Sequence, residues 1–167
     1  MKPLYVMLIG LPAAGKTTLR NRIVEAYPGK EWCHVSTDDY IDGVAAKQSA
    51  TYNDVFQSVI DVAQKAMNAE LQAVLSTKRN ILHDQTNLTV KSRAKKLSCV
   101  PKIYLKIGLL VQTDAEERET RLANRPGKKI PLGVDQKMIL TYEEPTLNEF
   151  DVFIHGCDCL EALRYYV

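Results

Sequence analysis

The 167-residue sequence has no apolar run long enough to cross a bilayer. Its opening run, Leu4-Tyr5-Val6-Met7-Leu8-Ile9, is six residues long and ends at Gly10, too short for a secretory signal. The expected location is therefore the cytoplasm. Charge of one sign is also missing. Lys and Arg number 22 against 20 Asp and Glu, a net charge of +2, so any basic site has to be local. Cysteine is sparse, at positions 33, 99, 157 and 159, without the spacing of a disulfide framework, and reduced thiols are expected. His155, Cys157 and Cys159 supply too few ligands, at the wrong spacing, for an ordinary zinc site. Low-complexity linkers and internal repeats are absent. What remains is an ordinary globular composition, 46% hydrophobic and 25% charged. At this length a single domain over residues 1–167 is expected, able to bury a core without disulfides or metal.

What the sequence does have is Gly10-Leu11-Pro12-Ala13-Ala14-Gly15-Lys16-Thr17, followed by Thr18. It fits the phosphate-loop pattern G-x-x-x-x-G-K-[ST]. The two glycines permit backbone conformations that a side chain blocks, so that several N–H groups converge on one anion. Lys16 is suited to the β- and γ-phosphates of a nucleotide such as ATP, and the Thr17 hydroxyl to Mg²⁺. The context is the required one. An apolar strand precedes the loop, and a helical pattern, Leu19, Ile23 and Ala26 beside polar residues, follows it.

Strand and helix patterns then alternate about five times. Trp32–Ser36 reads as a second strand ending at Thr37-Asp38-Asp39-Tyr40, and residues 41–51 as a loop. Tyr52 to Thr77 reads as a long helix, with Phe56, Ile60, Ala63, Met67, Leu71 and Val74 as its core stripe. Asn80–Asp84 is a third strand, Thr89–Leu97 a basic helix and Lys102–Val111 a fourth strand. Asp114 is a fitting N-cap for a helix over Ala115–Asn124. Helices over Val134–Tyr142 and through Leu160 and Leu163 flank a last strand at Phe150–Ile154. This order predicts an α/β fold with a parallel sheet of about five strands covered by helices on both faces.

Several residues can do chemistry. An Asp at the end of a strand beside the phosphate loop is placed to accept a proton from an attacking hydroxyl, and Asp38 and Asp39 are the candidates. Asp84 ends another strand. Arg118, Arg121 and Arg125 share a helix face that runs into the Pro126-Gly127-Lys128-Lys129 break, an arrangement suited to a lid over residues 118–133. Glu117 can pair with Arg121 instead. The basic segment Lys91, Arg93, Lys95, Lys96 could touch nucleic-acid phosphates, but it lacks interleaved aromatics, and a solvated helix face is the expected reading.

Taken together, Gly10–Thr18, Thr37-Asp38-Asp39-Tyr40, Asp84-Gln85-Thr86-Asn87 and Arg121-Leu122-Ala123-Asn124-Arg125 resemble the kinase domain of bacteriophage polynucleotide 5′-hydroxyl kinase and its relatives. The resemblance runs from residue 1 to about 145. It implies an ATP- and Mg²⁺-dependent kinase of the P-loop fold whose acceptor is the 5′-hydroxyl of DNA or RNA, in a host cytoplasm if the chain is phage-encoded. It implies that Gly10 to Thr18 bind ATP, with Lys16 on its phosphates and Thr17 on Mg²⁺. Asp38 would be the general base and Arg125, supported by Arg121, would act on the transferring phosphate. Asp39, Asp84, Thr86 and Asn87 would line the substrate side. The chain departs from the family at Ile41, where relatives often carry an arginine for an acceptor phosphate, and at Gln85, an added residue. The same superfamily holds kinases of nucleosides, nucleotides, sugars and antibiotics. A nucleotide-binding module without kinase activity is the other alternative.

Overall fold

The computed structural model describes residues 2–156 and 159–167. Its centre is strand β1 (Leu4–Ile9), buried along its whole length. Tyr5, Met7 and Ile9 pack to one side with Met67, Leu71, Leu75 and Leu97. Leu4, Val6 and Leu8 pack to the other with Ile23 and Leu163. Successive side chains of a strand point to opposite faces, so a strand covered on both faces has to be apolar throughout. That is why this run shows no alternation.

Strands β2 (Cys33–Val35), β3 (Ile81–Asp84), β4 (Leu105–Leu110) and β5 (Val152–His155) complete a five-stranded sheet in the order β2-β3-β1-β4-β5. Every pairing is parallel. The chain leaves β1 towards β2, returns to β3, and then crosses β1 to reach β4. The strand order therefore reverses between β3 and β1, and open α/β sheets bind ligands at the carboxyl ends of the strands beside such a point. The register places Asp84 of β3 opposite Leu8 and Leu110 of β4 opposite Ile9. Helix α1 (Lys16–Ala26) begins directly above this point.

Helix α2 covers Thr37–Lys47, where the sequence reading has the end of a strand and a loop. Ser36 caps it, its Oγ accepting from the Asp39 N–H at 3.3 Å. Ile41, Val44 and Ala45 pack against Val55, Val59 and Ala63 of helix α3 (Tyr52–Thr77). Ile41 is fully buried, and burying a side chain of that size contributes about 1.5–3 kcal/mol. The small residues around it dilute the helical period and hide it in the sequence. Helix α3 matches the expected span and opens with a capping box between Thr51 and Asp54. Its buried stripe is Val55, Ala63, Met67, Leu71 and Leu75; Phe56 and Ile60 are only partly buried.

Helices α4 (Val90–Ser98), α5 (Ala115–Ala123), α6 (Leu132–Leu140) and α7 (Cys159–Leu163) follow. Thr89 and Asp114 cap α4 and α5. The solvated-face reading of α4 is corrected at two positions. Arg93 is fully buried, paired with Glu149 and donating to the Asn87, Leu88 and Glu143 carbonyls. Lys96 is half-buried and bonded to Asn87 Oδ1. Among the described residues no helix is long and apolar enough to cross a membrane.

Candidate active site

The phosphate loop joins β1 to α1 and is bent as its glycines require. Gly10 has φ +155°, and a Cβ there would lie 2.3 Å from the Val111 carbonyl oxygen. Gly15, at φ +103°, precedes α1, whose first turn carries neither a side-chain cap nor an acid. The N–H groups of that turn are therefore left for an anion, which the helix dipole favours. Lys16 is buried and donates to the Gly10 and Leu11 carbonyls, both at 2.9 Å. Burial lowers its pKa to about 8; Asp84 and Asp38 oppose this, and Arg125 and Arg118 add to it.

Thr17 Oγ1 donates to Asp84 Oδ2 at 3.1 Å. Asp84 is buried, and burial raises its pKa against the pull of Lys16, Arg20 and the Thr17 hydrogen bond. A hydroxyl and a carboxylate oxygen side by side are the hard donors that Mg²⁺ prefers, so the residues present fit that ion.

Asp38 stands across the cleft in the first turn of α2. Its Oδ2 accepts from Lys128 Nζ at 2.7 Å and its Oδ1 from Tyr52 Oη at 2.8 Å. Burial would raise its pKa, but the Lys128 charge and hydrogen bond, the Tyr52 hydrogen bond and the Arg125 charge outweigh it and hold the carboxyl below its ordinary value. Lys128 also sits 3.9 Å from the Tyr52 ring centroid. The segment carrying Lys128 is tied to α3. Asn53 N donates to the Gly127 carbonyl at 3.1 Å, Asn53 Nδ2 to the Lys129 carbonyl at 2.7 Å, and Lys129 N to Asn53 Oδ1 at 2.7 Å.

Asp39 goes elsewhere. It accepts from Arg20 Nη1 at 2.7 Å and does not line the cleft with Asp38, because adjacent helical residues project about 100° apart. Arg20 also lies 3.5 Å from Asp84, tying the two acids together from behind. Asn87 is likewise turned away. Its Nδ2 donates to the Leu8 carbonyl at 2.7 Å within the fold, and it is not among the residues lining the cleft. Asp84 and Thr86 do line it, and the Thr86 carbonyl accepts from Gly10 N at 3.0 Å. The added residue Gln85 bridges His83 Nε2, at 3.2 Å, and Thr37 Oγ1, at 3.1 Å.

The three arginines separate into two roles. Arg118 is buried, donating to the Pro12 carbonyl at 3.0 Å and paired with Asp135 of α6, so it braces the phosphate loop from outside the cleft. Arg121 and Arg125 line the cleft. Arg121 donates to the Ala13 carbonyl at 3.3 Å and also pairs with Glu117. Arg125 is close enough to Lys16 and Asp38 for its charge to shift both.

The cleft has a volume of about 990 Å³ and takes in Lys16, Thr17, Asp38, Asp84, Arg121 and Arg125 together. Sequence reasoning missed Tyr52, Lys128, Lys96 and the cleft-facing Phe56 and Ile60. Tyr52 opens the long helix and Lys128 lies in the Pro-Gly break, but no spacing rule links either to Asp38. His155 and Cys159 are not among the residues that line the cleft. Cys159 is buried, its thiol reaching the Leu110 and Gly156 carbonyls, and Cys157 lies outside the described residues.

Residues 6–145 match the family described as AAA domain. The fold is similar to solved structures of low sequence identity. A putative kinase from Chloroflexus aurantiacus aligns with TM-score 0.75 at 14% identity over 99% of this chain and 97% of that one. A chain of the Pnkp1/Rnl/Hen1 RNA repair complex aligns with TM-score 0.64 at 20% identity over 84% of this chain and 44% of that one. Shikimate kinase from Acinetobacter baumannii, in complex with shikimate, aligns with TM-score 0.57 at 18% identity over 98% and 92%. This chain thus spans less than half of the repair-complex chain, and about half, 51%, of a chain of the PezAT toxin–antitoxin system of Streptococcus pneumoniae.

Proposed function

The chain belongs to the AAA domain family and has a P-loop kinase-like fold, and from that premise we propose that it is an ATP- and Mg²⁺-dependent phosphotransferase acting on a hydroxyl acceptor. The observation that carries this reading is that Asp38, held as a carboxylate, shares one cleft with Lys16, Thr17, Arg121 and Arg125. ATP would supply the γ-phosphoryl group, with Mg²⁺ held at Thr17 through its hydroxyl and, behind it, Asp84. Loop amides and Lys16 bind and orient the phosphates. Asp38 takes the proton of the acceptor hydroxyl as that oxygen bonds to the γ-phosphorus and the bond to the bridging oxygen breaks, releasing ADP. Arg125, with Arg121 beside the loop, offsets the charge on the transferring group. Tyr52 and Lys128 fix the carboxylate facing the cleft.

The acceptor in this reading is the 5′-hydroxyl of DNA or RNA, on the strength of the four motifs. A small-molecule hydroxyl is the second reading. Ile41 supports it, because it is buried between α2 and α3 where an acceptor arginine would stand, and so do the apolar side chains that line the cleft. The test is transfer of label from γ-labelled ATP to 5′-hydroxyl oligonucleotides and to a panel of small hydroxyl compounds. Asp38→Asn is expected to lower transfer by roughly 10²- to 10⁴-fold while nucleotide binding persists. A wild-type rate in that variant would remove the general base. Nucleotide bound with no acceptor labelled would point to a binding module instead.

A further inference from the structure

One cation of the cleft has no part in the phosphate-transfer geometry. Lys96 reaches the cavity from α4 and shares it with Gln85, Ile60 and Gln64. Four other basic side chains with little exposure pair with acids, Arg20 with Asp39, Arg93 with Glu149, Arg118 with Asp135 and Lys128 with Asp38, while Lys16 donates to loop carbonyls at the phosphate site. Among the described residues the hydrogen-bond partner of the Lys96 ammonium is the neutral Asn87 Oδ1. Burial alone brings its pKa down to about 8, with no carboxylate opposing. A desolvated charge without a counter-ion is costly, and an anion entering the cavity offsets that cost.

The cavity that holds Lys96 and Asp38 also has apolar side chains in its lining. Phe56 and Ile60 follow Tyr52 at intervals of one helical turn, so Ile60 stands about 12 Å along α3 from the residue that touches Asp38. Val134 and Met138, one turn apart on α6, line the same cavity. Ile41 is fully buried and has no access to a ligand, so an anion on the acceptor has to be recognised elsewhere.

We propose that Lys96 binds an anionic group, phosphate or carboxylate, carried by the same molecule that presents its hydroxyl to Asp38, with the apolar body of that molecule lying against Phe56, Ile60, Val134 and Met138. This rests on the kinase reading above. A 5′-terminal nucleotide meets the description through its 3′-phosphate, and a small hydroxy acid through its carboxylate.

Matched pairs test it: adenosine 3′-monophosphate against adenosine, and shikimate against its methyl ester. Two readouts are taken, label transfer from γ-labelled ATP, and acceptor binding in the presence of ADP by thermal shift, which needs no turnover. The charged member of at least one pair is expected to be favoured by roughly ten- to hundredfold, the range of a charge-assisted hydrogen bond. Which pair responds distinguishes a nucleic-acid end from a hydroxy acid. Lys96→Met should erase the preference by raising KM with kcat nearly unchanged, and Lys96→Arg should restore it. Lys96→Gln keeps a donor for Asn87 and serves where Lys96→Met does not fold. Equal treatment of both members of both pairs, or an equal loss for charged and neutral members in the variant, overturns the assignment. If no acceptor is labelled but the binding preference persists and depends on Lys96, the kinase reading falls and the anion site stands.

Discussion

Replacing Arg93 by Met tests whether a basic residue that looks solvated in sequence is a structural anchor. Arg93 Nε donates to Glu149 Oε2 at 2.6 Å and Nη2 to Oε1 at 3.0 Å, a bidentate pair. Nη1 donates to the Asn87, Leu88 and Glu143 carbonyls at 3.1, 3.1 and 2.9 Å. One guanidinium thus joins the segment after β3 to the chain that leads into β5. Met fills much of the volume but leaves a poorly exposed carboxylate and three carbonyls without this donor. Breaking a buried pair from one side costs about 3–5 kcal/mol. At roughly 2–4 °C per kcal/mol for a chain of this size, the melting temperature should fall by about 6–20 °C. Arg93→Met with Glu149→Met should be less damaging than Arg93→Met alone, because no carboxylate is then stranded. Burial pushes the Glu149 carboxyl up, but Arg93 and the Thr146 hydrogen bonds hold it below its ordinary value of 4.5. A depressed acid stabilises the fold above its unfolded-state pKa, and that contribution is lost as pH falls through the folded-state pKa. The gap between wild type and Arg93→Met should therefore narrow as the pH is lowered below about 4.5. Urea and thermal unfolding of wild type, Arg93→Met, Glu149→Met and the double variant across that range measure it. A loss under about 1 kcal/mol, or a double variant as costly as the two single losses added, would refute the reasoning.

Two further outcomes follow from the phosphate loop. Lys16, with a pKa of about 8, should take up a proton when a nucleotide binds, so affinity should weaken as pH rises above about 8; calorimetry in buffers of different ionisation enthalpy measures the uptake, and a flat profile with no uptake counts against it. The folded-state pKa lies below the ordinary 10.5, so the unfolded chain holds more protons between the two values, and this group makes stability rise with pH across that window. Gly10→Ala puts a Cβ 2.3 Å from the Val111 carbonyl oxygen, so it should abolish the thermal shift produced by ADP and destabilise the fold, whereas Gly29→Ala, with nothing within 4 Å, should leave nucleotide binding intact; equal behaviour of the two would contradict the geometry.

Much of the fold is legible in sequence because it is written locally. β1 is apolar throughout since both faces are covered, and the phosphate loop announces itself through glycines that no other residue can replace. The long helix is bounded by its own capping box. Helix α2 was hidden because Gly43, Ala45 and Ala46 give little amphipathic contrast; its packing on α3 is what fixes it. Arg93 and Lys96 show the limit most directly. They lie three residues apart in a run that reads as exposed, yet one is sealed against Glu149 and the other opens into the cleft.

By itself the sequence determined the order of the strands and of the helices other than α2, the phosphate loop and the candidate acids and arginines, because each depends on short-range periodicity or on residue chemistry within a few positions. Only the tertiary structure decided which of these meet. Asp38 and Lys128 are 90 positions apart and touch because Asn53 ties the segment carrying Lys128 to the start of α3. Asp39, one residue on, belongs to Arg20 because a helix turns it out of the cleft. Such pairings come from crossovers and packing between distant segments, and a linear pattern carries no record of them.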